Sequence, residues 1–168
     1  MQKTIIVLVL ILAAGTGGYL LNNSKSDDST SSVDSSSSSA IQTSGPSADY
    51  SGKGLSSFPK DVLSKTSITS LDLSNNQLTG ALPSEIQKLT KLESLNVSGN
   101  NMTGIPAEVG QLRKLKVLNY SDNQITGLPN ELGNLTQLQV FDLTGNSNVS
   151  QQDLAKIRAK LTNTQILL

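Results

Sequence analysis

Four asparagines, Asn76, Asn100, Asn123 and Asn146, recur 24, 23 and 23 residues apart in a chain of 168 residues. A carboxamide carries one acceptor oxygen and two N–H donors, so it can bond backbone groups of both signs. Buried without partners it would cost about 1 to 3 kcal/mol. A regular row of such side chains therefore implies stacked turns, in which each Asn bonds its own turn and the next and the row forms a structural ladder. The other groups capable of chemistry are the carboxylates Asp72, Glu93, Asp122 and Asp142. A glycosidase-like acid pair would need a deep cleft and one carboxyl with a raised pKa, and an open strand face offers neither. The chain has no cysteine and no histidine, so it can build no disulfide framework, Cys/His metal site or imidazole-activated nucleophile. Gly52-Lys53-Gly54 is too short for a phosphate loop, and Asp122-Asn123-Gln124-Ile125-Thr126-Gly127 lacks the alternating acids and closing Glu of a calcium loop. The expectation is a protein that is not an enzyme and uses no cofactor or metal.

The elements that must position these residues repeat with them. Ile68-x-x-Leu71-x-Leu73 precedes Asn76, Leu92-x-x-Leu95-x-Val97 precedes Asn100, Leu115-x-x-Leu118-x-Tyr120 precedes Asn123, and Leu138-x-x-Phe141-x-Leu143 precedes Asn146. Alternating apolar residues at the centre of each segment predict a short strand with one face buried. Tyr120 takes the inward position that Leu73, Val97 and Leu143 hold, and its hydroxyl then needs a partner. After the Asn, the chain returns through Leu82-Pro83, Ile105-Pro106 or Leu128-Pro129. Proline suits a return segment that has no ladder to donate to. The pairs Ile86 and Leu89, Val109 and Leu112, and Leu132 and Leu135 follow at a spacing that suits one turn of 3₁₀ helix. A lone repeat leaves both flanks bare. Stacking covers them and sets the strands side by side in a parallel sheet.

This motif, with a period in the range of roughly 20 to 29 residues, resembles the leucine-rich repeat family over about residues 54–168. The turns Leu78-Thr79-Gly80, Met102-Thr103-Gly104 and Ile125-Thr126-Gly127, with Glu131-Leu132-Gly133-Asn134-Leu135, are similar to the repeat variant of plant receptor ectodomains. Glycine there permits a tight turn, so the likeness is one of shared backbone chemistry. The resemblance implies an α/β repeat fold: a right-handed solenoid with a short parallel β-sheet on its concave face, a degenerate N-terminal half-repeat and a C-terminal capping helix. It also implies a module that binds a protein ligand.

Residues 1–21 hold Lys3 and the apolar run Ile5–Leu21, which reads as a membrane anchor through residues 5–21 or as a signal peptide cut after Gly15 or Gly17. Either places the repeats outside the cytoplasm: single-pass and membrane-anchored, or secreted. Twelve of the 28 residues from Asn22 to Asp49 are Ser, a composition with too little apolar surface to fold, so 22–49 reads as a disordered linker. The repeat domain is bounded at 50–168. Its first part, with Leu55, Phe58-Pro59 and Val62, aligns with the second half of a repeat and would shield the first strand. At the far end Ser150-x-x-Asp153 has the form of a helix N-cap, Leu154, Ile157 and Leu161 share one helical face, and Gln165–Leu168 reads as a last short strand.

Function is expected on the outward strand residues. The partner-binding set is Asp72, Glu93, Asn96, Lys116, Val117, Asn119, Asp122, Gln139, Val140 and Asp142. Val117 and Val140 would make a mildly apolar centre within an acidic rim, which calls for a basic partner surface. A net charge of zero speaks against nucleic acid or an anionic membrane surface as the partner. A structural spacer or envelope component without a specific ligand is the alternative. Oligomeric state is not legible in the sequence.

Overall fold

The computed structural model describes Thr43 and residues 45–168, which form one compact unit. The leader and most of the Ser-rich linker lie outside the described residues. In chain order the elements are β1 (Ser47–Asp49), β2 (Ser70–Asp72), β3 (Thr79–Gly80), β4 (Ser94–Asn96), β5 (Asn101–Met102), β6 (Val117–Asn119), β7 (Val140–Asp142), α1 (Gln151–Lys160) and β8 (Gln165–Leu167). Short 3₁₀ turns at Lys60–Ser64, Ser84–Lys88, Ala107–Gln111 and Asn130–Asn134 lie between the strands. One six-stranded parallel sheet runs β1-β2-β4-β6-β7-β8, and β3 pairs with β5 in a second.

Period-two alternation explains the main sheet. Ala48, Leu71, Leu95, Leu118, Phe141 and Ile166 are matched partner to partner across all six strands, all buried except the half-buried Ile166 at the edge. Pro59, Pro83, Pro106 and Pro129 each stand in extended backbone immediately before a 3₁₀ turn. There the missing N–H leaves no ladder bond unmade. Each turn then sinks Val62, Ile86, Val109 or Leu132 into the common core. Adjacent turns approach so closely in the later repeats that a Cβ on Gly110 would fall on the Glu131 carbonyl oxygen.

The N-terminal boundary differs from the sequence expectation. Ser47–Asp49, assigned to the disordered 22–49 linker, are the first strand of the sheet, and Tyr50 N–H donates to Asp72 O at 2.8 Å. Ala48 and Tyr50 stand at the positions of Leu71 and Leu73 in the next coil. A single Ala and a Tyr among serines carry too weak an alternation to be read as a strand. Beside them, the ammonium groups of Lys53 and Lys65 each stand 4.8 Å from the Tyr50 ring centre, and the Tyr50 hydroxyl donates to Asp61 and accepts from Lys65.

At the other end α1 is capped by Ser150, whose side chain accepts from Asp153 N–H at 3.2 Å, and it buries Leu154, Ile157 and the following Leu161. β8 then adds the sixth strand. No helix among the described residues is long and apolar enough to cross a membrane.

Candidate functional site

The asparagines stand where the coils meet. Asn123 Oδ1 accepts from Met102 N–H at 2.9 Å, while its Nδ2 donates to Val97 O at 2.9 Å and to Tyr120 and Ser121 carbonyls of its own coil. Asn100 and Asn146 repeat this pattern on Leu78 N–H and Leu73 O, and on Ile125 N–H and Tyr120 O. Asn76 accepts from both Lys53 and Leu55 N–H and donates to Tyr50 O. Each amide thus satisfies loop groups that the strand ladder misses, which is why a buried polar side chain is tolerated at this position.

A second polar row was not seen in the sequence. Asp49, Asp72, Asn96, Asn119 and Asp142 occupy the same register across the sheet, and each Oδ1 accepts the backbone N–H two residues on, from Ser51, Ser74, Ser98, Ser121 and Thr144, at 2.8 to 3.1 Å. These are Asx turns that bend the chain out of each strand. The Ser51 hydroxyl and amide also hold the Asp49 carboxyl below its ordinary pKa. The signal was present as Asp/Asn-x-Ser/Thr repeated in phase five times. In Asn96-Val97-Ser98 the same triplet mimics a glycosylation acceptor, although Asn96 is engaged with both Ser98 and Asp72.

This row corrects the expected face. Asn119 and Asp142, taken as outward contact residues, are 3% and 5% exposed, because each turns its amide or carboxylate back onto the main chain between closely spaced strands. Val140 is also buried, at 3%, between Val117 of β6 and Gln165 of β8, which the sequence did not place across it. The apolar centre therefore reduces to Val117, which is half-buried. Asp122 is exposed but lies in the turn after β6, at φ 52, with its carboxylate over Gly145. Gly52, Asn75, Gly99, Asp122 and Gly145 all share this left-handed position. The alternation is steric: a Cβ on Gly99 would lie 2.7 Å from Asn75 Oδ1.

The remaining candidates form one strip. Asp72 and Asn96 are half-buried and joined at 3.1 Å, Glu93 and Lys116 form an ion pair at 2.9 Å, and Gln139 is exposed at the end of their column. Of the acidic rim expected from the sequence, Glu93 is neutralised by Lys116, while Asp72 and Asp142 are held by hydrogen bonds that leave their charge in place. Among the described residues no cluster of carboxylates has the geometry to hold a metal ion.

Comparison with known proteins agrees with this architecture. The family model described as a leucine-rich repeat region matches residues 60–167. Receptor-like protein 49 of Arabidopsis thaliana is 40% identical over 50 residues, which is 30% of this chain and 6% of that protein. The solved structure of a leucine-rich repeat protein of Leptospira interrogans is 33% identical, with TM-score 0.56, over 68% of this chain and 34% of its own. The plant peptide hormone receptor RGFR1, solved in complex with RGF2, is 33% identical with TM-score 0.60, over 72% of this chain and 20% of the receptor chain. The chain therefore spans 6% to 34% of the length of these relatives. With the repeat motif, the asparagine row and every strand of the main sheet after β1 in the matched region, the chain belongs to the leucine-rich repeat family.

Proposed function

We propose that this chain is a protein-binding module displayed outside the cytoplasmic membrane, and that it receives its partner on the strand face. Glu93, Lys116, Val117 and Gln139 form the centre, with Asp72, Asn96 and Asp122 around it. The observation that carries this reading is the 33% identity, over 72% of this chain, to a receptor solved with a peptide hormone. The fold supports it physically, since parallel strands of equal length set side chains in an extended run, in which Glu93, Lys116 and Val117 are half-buried and Gln139 is exposed. None of these strand-face positions is Trp, Tyr or Arg, so weak or multivalent binding is expected over tight monovalent binding.

The Asx row favours the alternative of a structural spacer, because a face whose polar groups bond one another has less left for a ligand. A photo-crosslinking residue at position 117 in the full chain, irradiated on intact cells, separates the two. A discrete adduct that disappears in a Lys116→Ala, Gln139→Ala variant of unchanged melting temperature supports the binding face. Irradiation that yields no adduct, or the same adducts in that variant, supports the spacer.

A further inference from the structure

We propose that the partner presents an acidic segment, which docks along the edge of the sheet where β4 and β6 begin, on Lys91, Arg113 and Lys114. This rests on the strand-face reading above and assigns the chemistry of the partner. The loops that lead from the 3₁₀ turns into β4 and β6 carry these three cations, all exposed, and no Asp or Glu occurs in residues 86–92 or 109–121. Among the described residues the ion pairs are Lys65 with Asp61, Lys116 with Glu93 and Lys156 with Asp153, so none of the three has a carboxylate within pairing distance.

Geometry concentrates the charge. Coils in register stand about 4.8 Å apart. Cations on successive coils therefore lie near or within the Debye length of about 8 Å at physiological salt, and their fields add. Arg113 is held in place: its Nη1 donates to Asn134 O of the following coil at 2.7 Å, which leaves the rest of the guanidinium fork free. The edge runs directly into Lys116, Val117 and Ser94 on the strand face. There Glu93 is neutralised by Lys116, whereas Asp72 and Asp142, which keep their charge while hydrogen-bonded, stand at the far ends of β2 and β7, away from the strand starts that carry the cations. The partner charge selected by this surface is negative, the reverse of the basic partner that composition implied.

A protein segment fits better than a phosphodiester polymer or a lipid surface. The cations occupy only two coils, and the next loop offers neutral Thr136 and Gln137. Nucleic-acid affinity is built from a longer track of phosphate contacts. An extended acidic peptide, with about 3.3 Å per residue, can place successive carboxylates on such a short edge.

The test uses the full chain and a short fluorescein-labelled peptide of alternating Glu and Gly, followed by anisotropy at low salt. Binding should weaken about tenfold or more in a Lys91→Glu, Lys114→Glu variant and less than about twofold in a Lys156→Glu, Arg158→Glu variant on α1, with the Gln version of the peptide unbound. Equal weakening in both variants, or in neither, overturns the inference. So does binding of phosphatidylglycerol vesicles or single-stranded DNA with no binding of the peptide. A crosslink from position 117 that persists in the Lys91→Glu, Lys114→Glu variant removes the acidic-partner inference while leaving the strand-face reading standing.

Discussion

Tyr120 fills the column of Leu73, Val97 and Leu143 with its ring, fully buried, yet its hydroxyl has no partner among the described residues. Burial raises its pKa well above the ordinary phenol value, so the group stays neutral. The sequence reading asked for a partner because an unbonded buried hydroxyl is costly; the structure retains the cost. Tyr120→Phe should therefore stabilise the domain by about 1 kcal/mol, read as a higher urea midpoint with unchanged slope. A lower midpoint would show that the hydroxyl is bonded after all. Gly110 gives the opposite case. Its missing side chain is what lets two 3₁₀ turns touch, so Gly110→Ala should destabilise by about 1 to 3 kcal/mol through overpacking. Gly104→Ala, with nothing within 4 Å of the added Cβ, should melt nearly as the parent does. Equal melting of the two variants would mean that the turns can separate without loss.

At the scale of elements, both ends of the stack are closed by pieces that differ from the repeats between them. β1 covers β2, buries Ala48 and anchors Tyr50, which Lys53 and Lys65 approach. A chain beginning at Tyr50 should accordingly melt lower than one beginning at Thr43, whereas a linker extending to Asp49 would make the two equal. Thermal denaturation of both decides it. At the C-terminal end α1 and β8 cover the fourth repeat, with Leu154, Ile157 and Leu161 in the core and β8 lying along Val140. Truncation after Asn148 strips these away together and leaves the apolar flank bare, so that product should aggregate or lose its cooperative transition. A soluble, sharply melting truncation product would show that the helix is dispensable.

For the whole molecule, the proposed display outside the cytoplasm sets an orientation that can be measured. Protease added to intact cells should cut or release the repeats, and fractionation should distinguish a membrane-held chain from a soluble one starting near Thr16 or Gly18. Full protection of the repeats in intact cells, with cutting after lysis, would reverse the orientation. Lys3 is one positive charge at the front of the leader, which makes the experiment more decisive than the sequence.

What the sequence determined by itself was everything written with a period. The asparagines at fixed spacing, the Leu71-x-Leu73 alternation, the apolar-Pro pairs and the Ser150 cap each carry their geometry in local chemistry, so strands, 3₁₀ turns, stacking order and the closing helix could be read before any coordinates. The interior position of Tyr120 was legible for the same reason: its neighbours in phase define the column. Only the tertiary structure decided what happens between coils. Val140 points outward by alternation but is covered because β8 returns beside it. Asn119 and Asp142 look like contact residues until their oxygens are seen to hold Ser121 and Thr144. Ser47–Asp49 become a strand because β2 supplies a partner edge, which their composition does not announce. Whether an outward polar side chain is free to meet a ligand depends on neighbours some 23 residues away, and that distance is closed only by folding.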